Sequence, residues 1–197
     1  MTPEQKNGIQ TVYSKSRKQW RNWLDKNHSK KTSVWLIIYK KQSEIPSVYY
    51  AEAVEEALCF GWIDSKANKR DEESYYQFFA RRNPKSNWST VNKKRIEALM
   101  DQGLVRDAGL HAIEIAKQNG TWIALDEIDK GVIPEDLQQA FNKSKKALKN
   151  FEAFSPSSKK GILEWIHNAK RPETRLKRIQ ETVSLAASNI KANQWVK

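Results

Sequence analysis

The side chains best suited to chemistry fall in two basic clusters. The first is the stretch ARRNPKSNWST, residues 80–90, where Arg81, Arg82 and Lys85 supply charge. Ser86 adds a hydroxyl, Asn87 an amide and Trp88 an aromatic face, immediately before a helical pattern begins. A helix N-terminus leaves backbone N–H groups and partial positive charge for phosphate or carboxylate. A guanidinium grips such oxygens bidentately, and an indole face can stack on a nucleobase. Arg81, Arg82, Lys85, Ser86 and Trp88 are therefore candidate ligands for an anion. The ordinary alternative is that Ser89 caps the helix, Pro84 turns the chain and the arginines pair with surface acids. A P-loop is excluded, because the glycine-rich cradle and its lysine are missing. The second cluster is AKRPETRLKRIQ, residues 169–180, in which Arg171, Arg175 and Arg178 recur every three or four positions and share a helical face. Arg175 and Arg178 are the candidates there for a phosphate-facing wall; the alternative is a solvated face or pairing with neighbouring acids.

A third stretch, ALCFGWIDSKANKR at residues 57–70, holds the lone Cys59 beside Trp62 and Asp64. Cys59 falls near Glu52 and Glu55 on a helical wheel and close to a helix C-terminus. Both features favour the thiol over the thiolate, so a nucleophilic role is disfavoured. Asp64 can serve as an acid or base only if a second titratable group converges on it; otherwise it is a turn or ion-pair residue. Trp62 and Asp64 are retained as candidate ligand contacts. His28, His111 and His167 show no ligand spacing, and one cysteine builds neither a disulfide nor a thiolate metal site. No metal and no cofactor is expected.

These stretches need elements to hold them. GIQTVYS reads as a short strand entering the helix KSRKQWRNWLDKNH, and SVWLIIYKK as a mostly buried strand. YYAEAVEEALCF is an amphipathic helix, with Ala53, Val54, Ala57, Leu58 and Phe60 on one arc and Glu52, Glu55 and Glu56 opposite; Gly61 ends it. WIDSKANKR and SYYQFFARR form two strands around an acidic turn. In the second, Tyr75, Gln77 and Phe79 face one way and Tyr76, Phe78 and Ala80 the other. Two helices follow, the first capped by Ser89 and stopped by Gly103, the second capped by Asp107 and stopped by Gly120. TWIALDEIDKGVI is the candidate linker. Beyond it Pro134, Pro156 and Pro172 each mark a first helical residue. Ile162, Leu163 and Ile166 make one apolar stripe, and Leu176, Ile179 and Val183 another. The class expected is α+β: a small antiparallel sheet packed with helices over residues 1–125, then an all-helical module over 133–197. The eight tryptophans are expected mainly in the core.

Composition bounds the partners. The 197 residues carry a formal charge of +12. Residues 131–197 hold 13 Lys/Arg against 6 Asp/Glu, a net of +7 in a third of the length. A field of this sign favours anionic partners and opposes direct capture of cationic peptides. No secretory signal and no apolar run near 18 residues is visible, so a cytoplasmic protein without membrane insertion is expected.

Taken together, EAVEEALCFGWIDS, RRNPKSNWSTVNKKRIEALMDQG, EIAKQNGTW and GILEWIHNAKRPETRLKRI resemble the YdeI/OmpD-associated family, also labelled bacteriocin-protection proteins. The resemblance runs from about Tyr13 to Leu185, and the family label rests on the helical module at roughly 133–190. It implies a link to antimicrobial-peptide or envelope-stress resistance and carries over no catalytic residue. The expected function is a non-enzymatic binding protein with an anionic ligand, nucleic acid or a phosphorylated small molecule, in a basic groove. The alternatives are an enzyme using Asp64 and an interaction scaffold docking a protein partner through residues 133–197.

Overall fold

The computed structural model describes residues 4–194, which divide into two compact units, one ending at Ile123 and the other starting at Ala124. The first is a five-stranded sheet with helices on one face. Its strands are β1 (Gln5–Lys6), β2 (Ile9–Tyr13), β3 (Ser33–Tyr39), β4 (Trp62–Lys69) and β5 (Ser74–Arg81), in the order β1-β2-β3-β5-β4. Its helices are α1 (Arg17–Asn27), α2 (Tyr50–Cys59), α3 (Thr90–Asp101) and α4 (Asp107–Gln118).

The sheet is mixed rather than wholly antiparallel. β2 pairs with β3 in parallel because α1 carries the chain back to the start of the sheet, whereas β3–β5 and β4–β5 are antiparallel. The β4–β5 register shifts between Asp64 and Ala67, where β4 carries one extra residue as a bulge. Val34, Leu36 and Ile38 point to one face, where they meet Trp20 and Leu24 of α1, the apolar arc of α2 and Phe79 of β5. Phe79 pairs with Val34 and Gln77 with Leu36, so the alternation expected along β5 is the observed one.

Local signals act as the residue types require. Ser16 and Ser89 accept from backbone N–H groups three residues on and cap α1 and α3. Gly61 takes φ +71° at the end of α2. α4 begins one residue differently from expectation: Arg106 is its N-cap and Asp107 lies in the first turn, favourable for the helix dipole. The face of α2 opposite its apolar arc is not uniformly solvated. Glu56 is buried, because Arg17 and Arg21 of α1 close over its carboxylate at 2.6 Å each.

The second unit contains α5 (Asp126–Asp129), α6 (Glu135–Asn142), α7 (Lys145–Ala153), α8 (Pro156–His167) and α9 (Pro172–Ala187) around a separate core that includes Leu137, Phe141, Phe151, Ile162, Leu163, Ile166 and Ile179. Pro156 and Pro172 occupy the first turns of α8 and α9, whereas Pro134 is the N-cap of α6. Leu176 departs from its stripe and is exposed, while Ile179 is buried. Among the described residues, no helix is long and apolar enough to cross a membrane.

Candidate functional site

A cleft of about 310 Å³ opens in the first unit where five elements end or begin. His28 and Ser29 follow α1; Phe60, Gly61 and Trp62 join α2 to β4; Arg81, Arg82, Asn83 and Pro84 leave β5; Ala108, His111, Ala112 and Ile115 come from α4. The cleft exists because α4 lies directly on the end of α2. A Cβ on Gly61 would fall 2.6 Å from the Ala108 carbonyl oxygen, and one on Gly109 would fall 2.5 Å from that of Cys59. With no side chain between the backbones, the Arg106 N–H donates to the Cys59 carbonyl at 2.9 Å. The helix then presents small side chains, Ala108 and Ala112, to the space.

Arg82 brings the charge. Its backbone N–H donates to the Gly61 carbonyl, which pins the residue to the cleft floor. Its guanidinium donates to the Asn87 carbonyl at 2.5 Å and lies 3.9 Å from the centre of the Trp88 ring. Nε has no partner, and no carboxylate among the described residues pairs with the group. Burial pushes the guanidinium down to about 10, so it stays cationic at neutral pH. Trp88 is buried beneath it, packs on Trp122 at 5.0 Å, and has an indole N–H without an acceptor. The loop between them is tied down: Asn119 donates to the Pro84 carbonyl and the Trp88 N–H to that of Thr121.

His28 adds a group of defined tautomer. Its Nδ1 lies 2.9 Å from the Leu24 carbonyl, which can only accept, so Nδ1 carries a proton. In the neutral ring Nε2 is therefore an acceptor. The ring packs on Phe60 at 5.2 Å.

The side chains singled out in the sequence separate on this geometry. Trp62, Arg81, Arg82 and Trp88 line the cleft. Arg81 spends its guanidinium on the carbonyls of His28, Ser29 and Lys31, closing the turn after α1. Trp62 is buried and donates to the His28 carbonyl. Asp64 accepts from Tyr50 at 2.6 Å, and burial together with that bond pushes the Tyr50 hydroxyl up to about 12. Neither Asp64, Lys85 nor Ser86 is among the cleft residues; the Ser86 hydroxyl donates to the Asn83 carbonyl. Arg175 and Arg178 belong to the second unit. Arg175 forms a bidentate pair with Asp136, and Arg178 lies over Trp165 and donates to its carbonyl. Cys59 is buried, and burial more than its charged neighbours pushes the thiol up. Sequence reasoning missed His28, His111 and the alanines of α4. The repeat Ala108, Ala112, Ala116 at four-residue spacing was the available signal. Among the described residues, no three metal-ligating side chains cluster.

Residues 12–112, just over half the chain, match the model of a family described as a domain of unknown function, DUF8412. The chain belongs to that family. Every cleft residue except Ile115 and Ala116 falls within this DUF8412 region. Residues 130–189 match a second family, described as bacteriocin-protection, YdeI or OmpD-associated. The YdeI/OmpD resemblance is thus shown for the helical unit, and its extension back to Tyr13 is replaced by the DUF8412 match. No curated protein and no solved structure matches the chain.

Proposed function

We propose that the first unit is a non-enzymatic binding module for a small organic anion, with the apolar body of the ligand in the cleft and its oxygens on Arg82. The observation that carries this reading is a half-buried guanidinium, its Nε buried and unpartnered and no carboxylate beside it, at the wall of an apolar cleft. Carbonyl oxygens and an indole face leave a desolvated cation short of a counter-charge, so an occupant that supplies negative oxygens gains an interaction the fold itself does not make. At about 310 Å³ the space is at the lower end of small-molecule sites and suits a compact carboxylate or phosphate better than a polymer. His28 Nε2 offers an acceptor for a hydroxyl or amine on the same ligand. The name of the second family supports a setting in bacteriocin resistance, with the protein acting inside the cell. At +12 the chain is poorly suited to capturing cationic peptides itself, which favours an anionic ligand as the signal or cargo.

The test is thermal shift against a panel of small carboxylates and phosphates. A true ligand raises Tm by several degrees at a hundredfold excess over Kd. Arg82→Gln weakens it by about 10–100-fold, the range of one charge-assisted hydrogen bond. Ala112→Leu, which fills the cleft and keeps every charge, abolishes the shift. If no member of either class shifts Tm, or the shift survives both substitutions, the reading is overturned.

A further inference from the structure

β3 is apolar on both faces, yet only one of them packs into the core that the helices of its unit share. Val34, Leu36 and Ile38 belong to the core cluster shared with the helices; Trp35 and Ile37 point the other way and, although buried, lie outside that cluster. Their partners on β5, Phe78 and Tyr76, share that outer face. A sheet with one helical layer ordinarily turns polar side chains outward. Here the outward row is aromatic: Trp35 meets Phe78 edge-on at 4.8 Å and Tyr76 at 6.1 Å.

Two lysines lie across this plate. Lys6 Nζ sits 4.5 Å from the Tyr76 ring centre and 5.6 Å from that of Trp35. Lys66 Nζ sits 5.6 Å from Trp35 and 5.7 Å from Phe78. Among the described residues neither ammonium pairs with a carboxylate, whereas nearby Arg70 is engaged by Glu4 and Asp71. Trp35 is buried and its indole N–H has no acceptor. The face therefore combines the half-buried rings of Phe78 and Tyr76 around a buried Trp35, two ammonium groups with no counter-charge and an orphaned donor.

We propose that this outer sheet face binds single-stranded nucleic acid, independently of the cleft. Bases stack on Phe78 and Tyr76, and phosphates take Lys6 and Lys66 from their positions over the rings. A second copy of the chain is a poor occupant, because a two-fold contact would set Lys6 and Lys66 against their own copies. An acidic protein would satisfy the lysines but leave the flat rings without stacking partners.

The test is fluorescence anisotropy of the full chain with a labelled ten-nucleotide oligothymidine. Binding is expected at 50 mM salt and to weaken by at least about sevenfold at 200 mM, the counterion release of two phosphate contacts. Lys66→Glu should weaken it tenfold or more, whereas Lys94→Glu, the same charge change on the exposed side of α3, should cost less than threefold. Phe78→Ala, and in the unaltered chain an abasic oligomer of equal length, should each bind about 5–100-fold more weakly. The proposal is overturned if nothing binds at 50 mM salt or if Lys66→Glu and Lys94→Glu behave alike. Equal affinity for the abasic oligomer, or for a polyglutamate of equal charge, overturns it as well.

Discussion

Arg81 and Arg82 are neighbours of one type with opposite fates. Arg81 is the last residue of β5, and its guanidinium closes the turn after α1 through three carbonyls. Arg81→Ala should therefore lower stability by about 1–2 kcal/mol in urea unfolding, whatever it does to ligand binding. Glu56 is a second case. Removing it strands Arg17 and Arg21, and Glu56→Ala should cost about 3 kcal/mol, with Glu56→Gln nearer half of that because it still accepts hydrogen bonds. Equal stability for the two variants would show that charge, not hydrogen bonding, sets the cost. Ser89, Gly61 and the inert Cys59 were legible because each obeys a local rule of capping, left-handed backbone or thiol electrostatics. The fates of Arg81 and Glu56 were not, since their partners lie 35 to 53 residues away in sequence, and that of Arg82 depends on how the loop to Trp88 folds back on the end of α2.

α4 shows how far an element can be read and where reading stops. Its span and apolar positions follow from periodicity, and its stop at Gly120 from residue type. Its seat does not. Gly109 has ordinary helical backbone, where alanine should gain about 1 kcal/mol of helix propensity. Its Cβ would instead meet the Cys59 carbonyl at 2.5 Å and Val105 Cγ1 at 2.8 Å. Backbone cannot yield as a side-chain tip does, so Gly109→Ala should destabilise by about 2 kcal/mol and displace the cleft floor. A Tm equal to or above that of the unaltered chain would show that α4 is not held at this point. The strands were legible by composition and alternation. The parallel β2–β3 pairing was not, because alternation tells which face a residue takes but not which strand lies beside it.

For the whole molecule, the α+β class and a helical C-terminal part were readable from the shift in periodicity after residue 88 and from the three prolines. Acid should loosen the molecule for a specific reason. Glu4, Asp71 and Asp136 all have carboxyls held below their ordinary range, Glu4 chiefly by Tyr76 and Arg70, Asp71 by Ser74, and Asp136 by Arg175. A carboxylate with a depressed folded pKa contributes stability above its unfolded value, near 4, and that stability is lost as pH falls through the folded value. Tm should thus fall below about pH 4, and Asp136→Asn should remove the part that belongs to the second unit. A Tm flat from pH 6 to pH 3 would contradict this.

The buried thiol of Cys59 has a consequence for kinetics. It is the only cysteine in the chain, and it is sealed in the core of the first unit. An alkylating reagent can reach it only when that unit opens, so the labelling rate is a clock for the opening. A molecule seated in the neighbouring cleft should slow that clock in proportion to its occupancy. The protein thereby carries its own reporter of ligand binding, one that requires no added dye and is blind to unfolding confined to the helical unit.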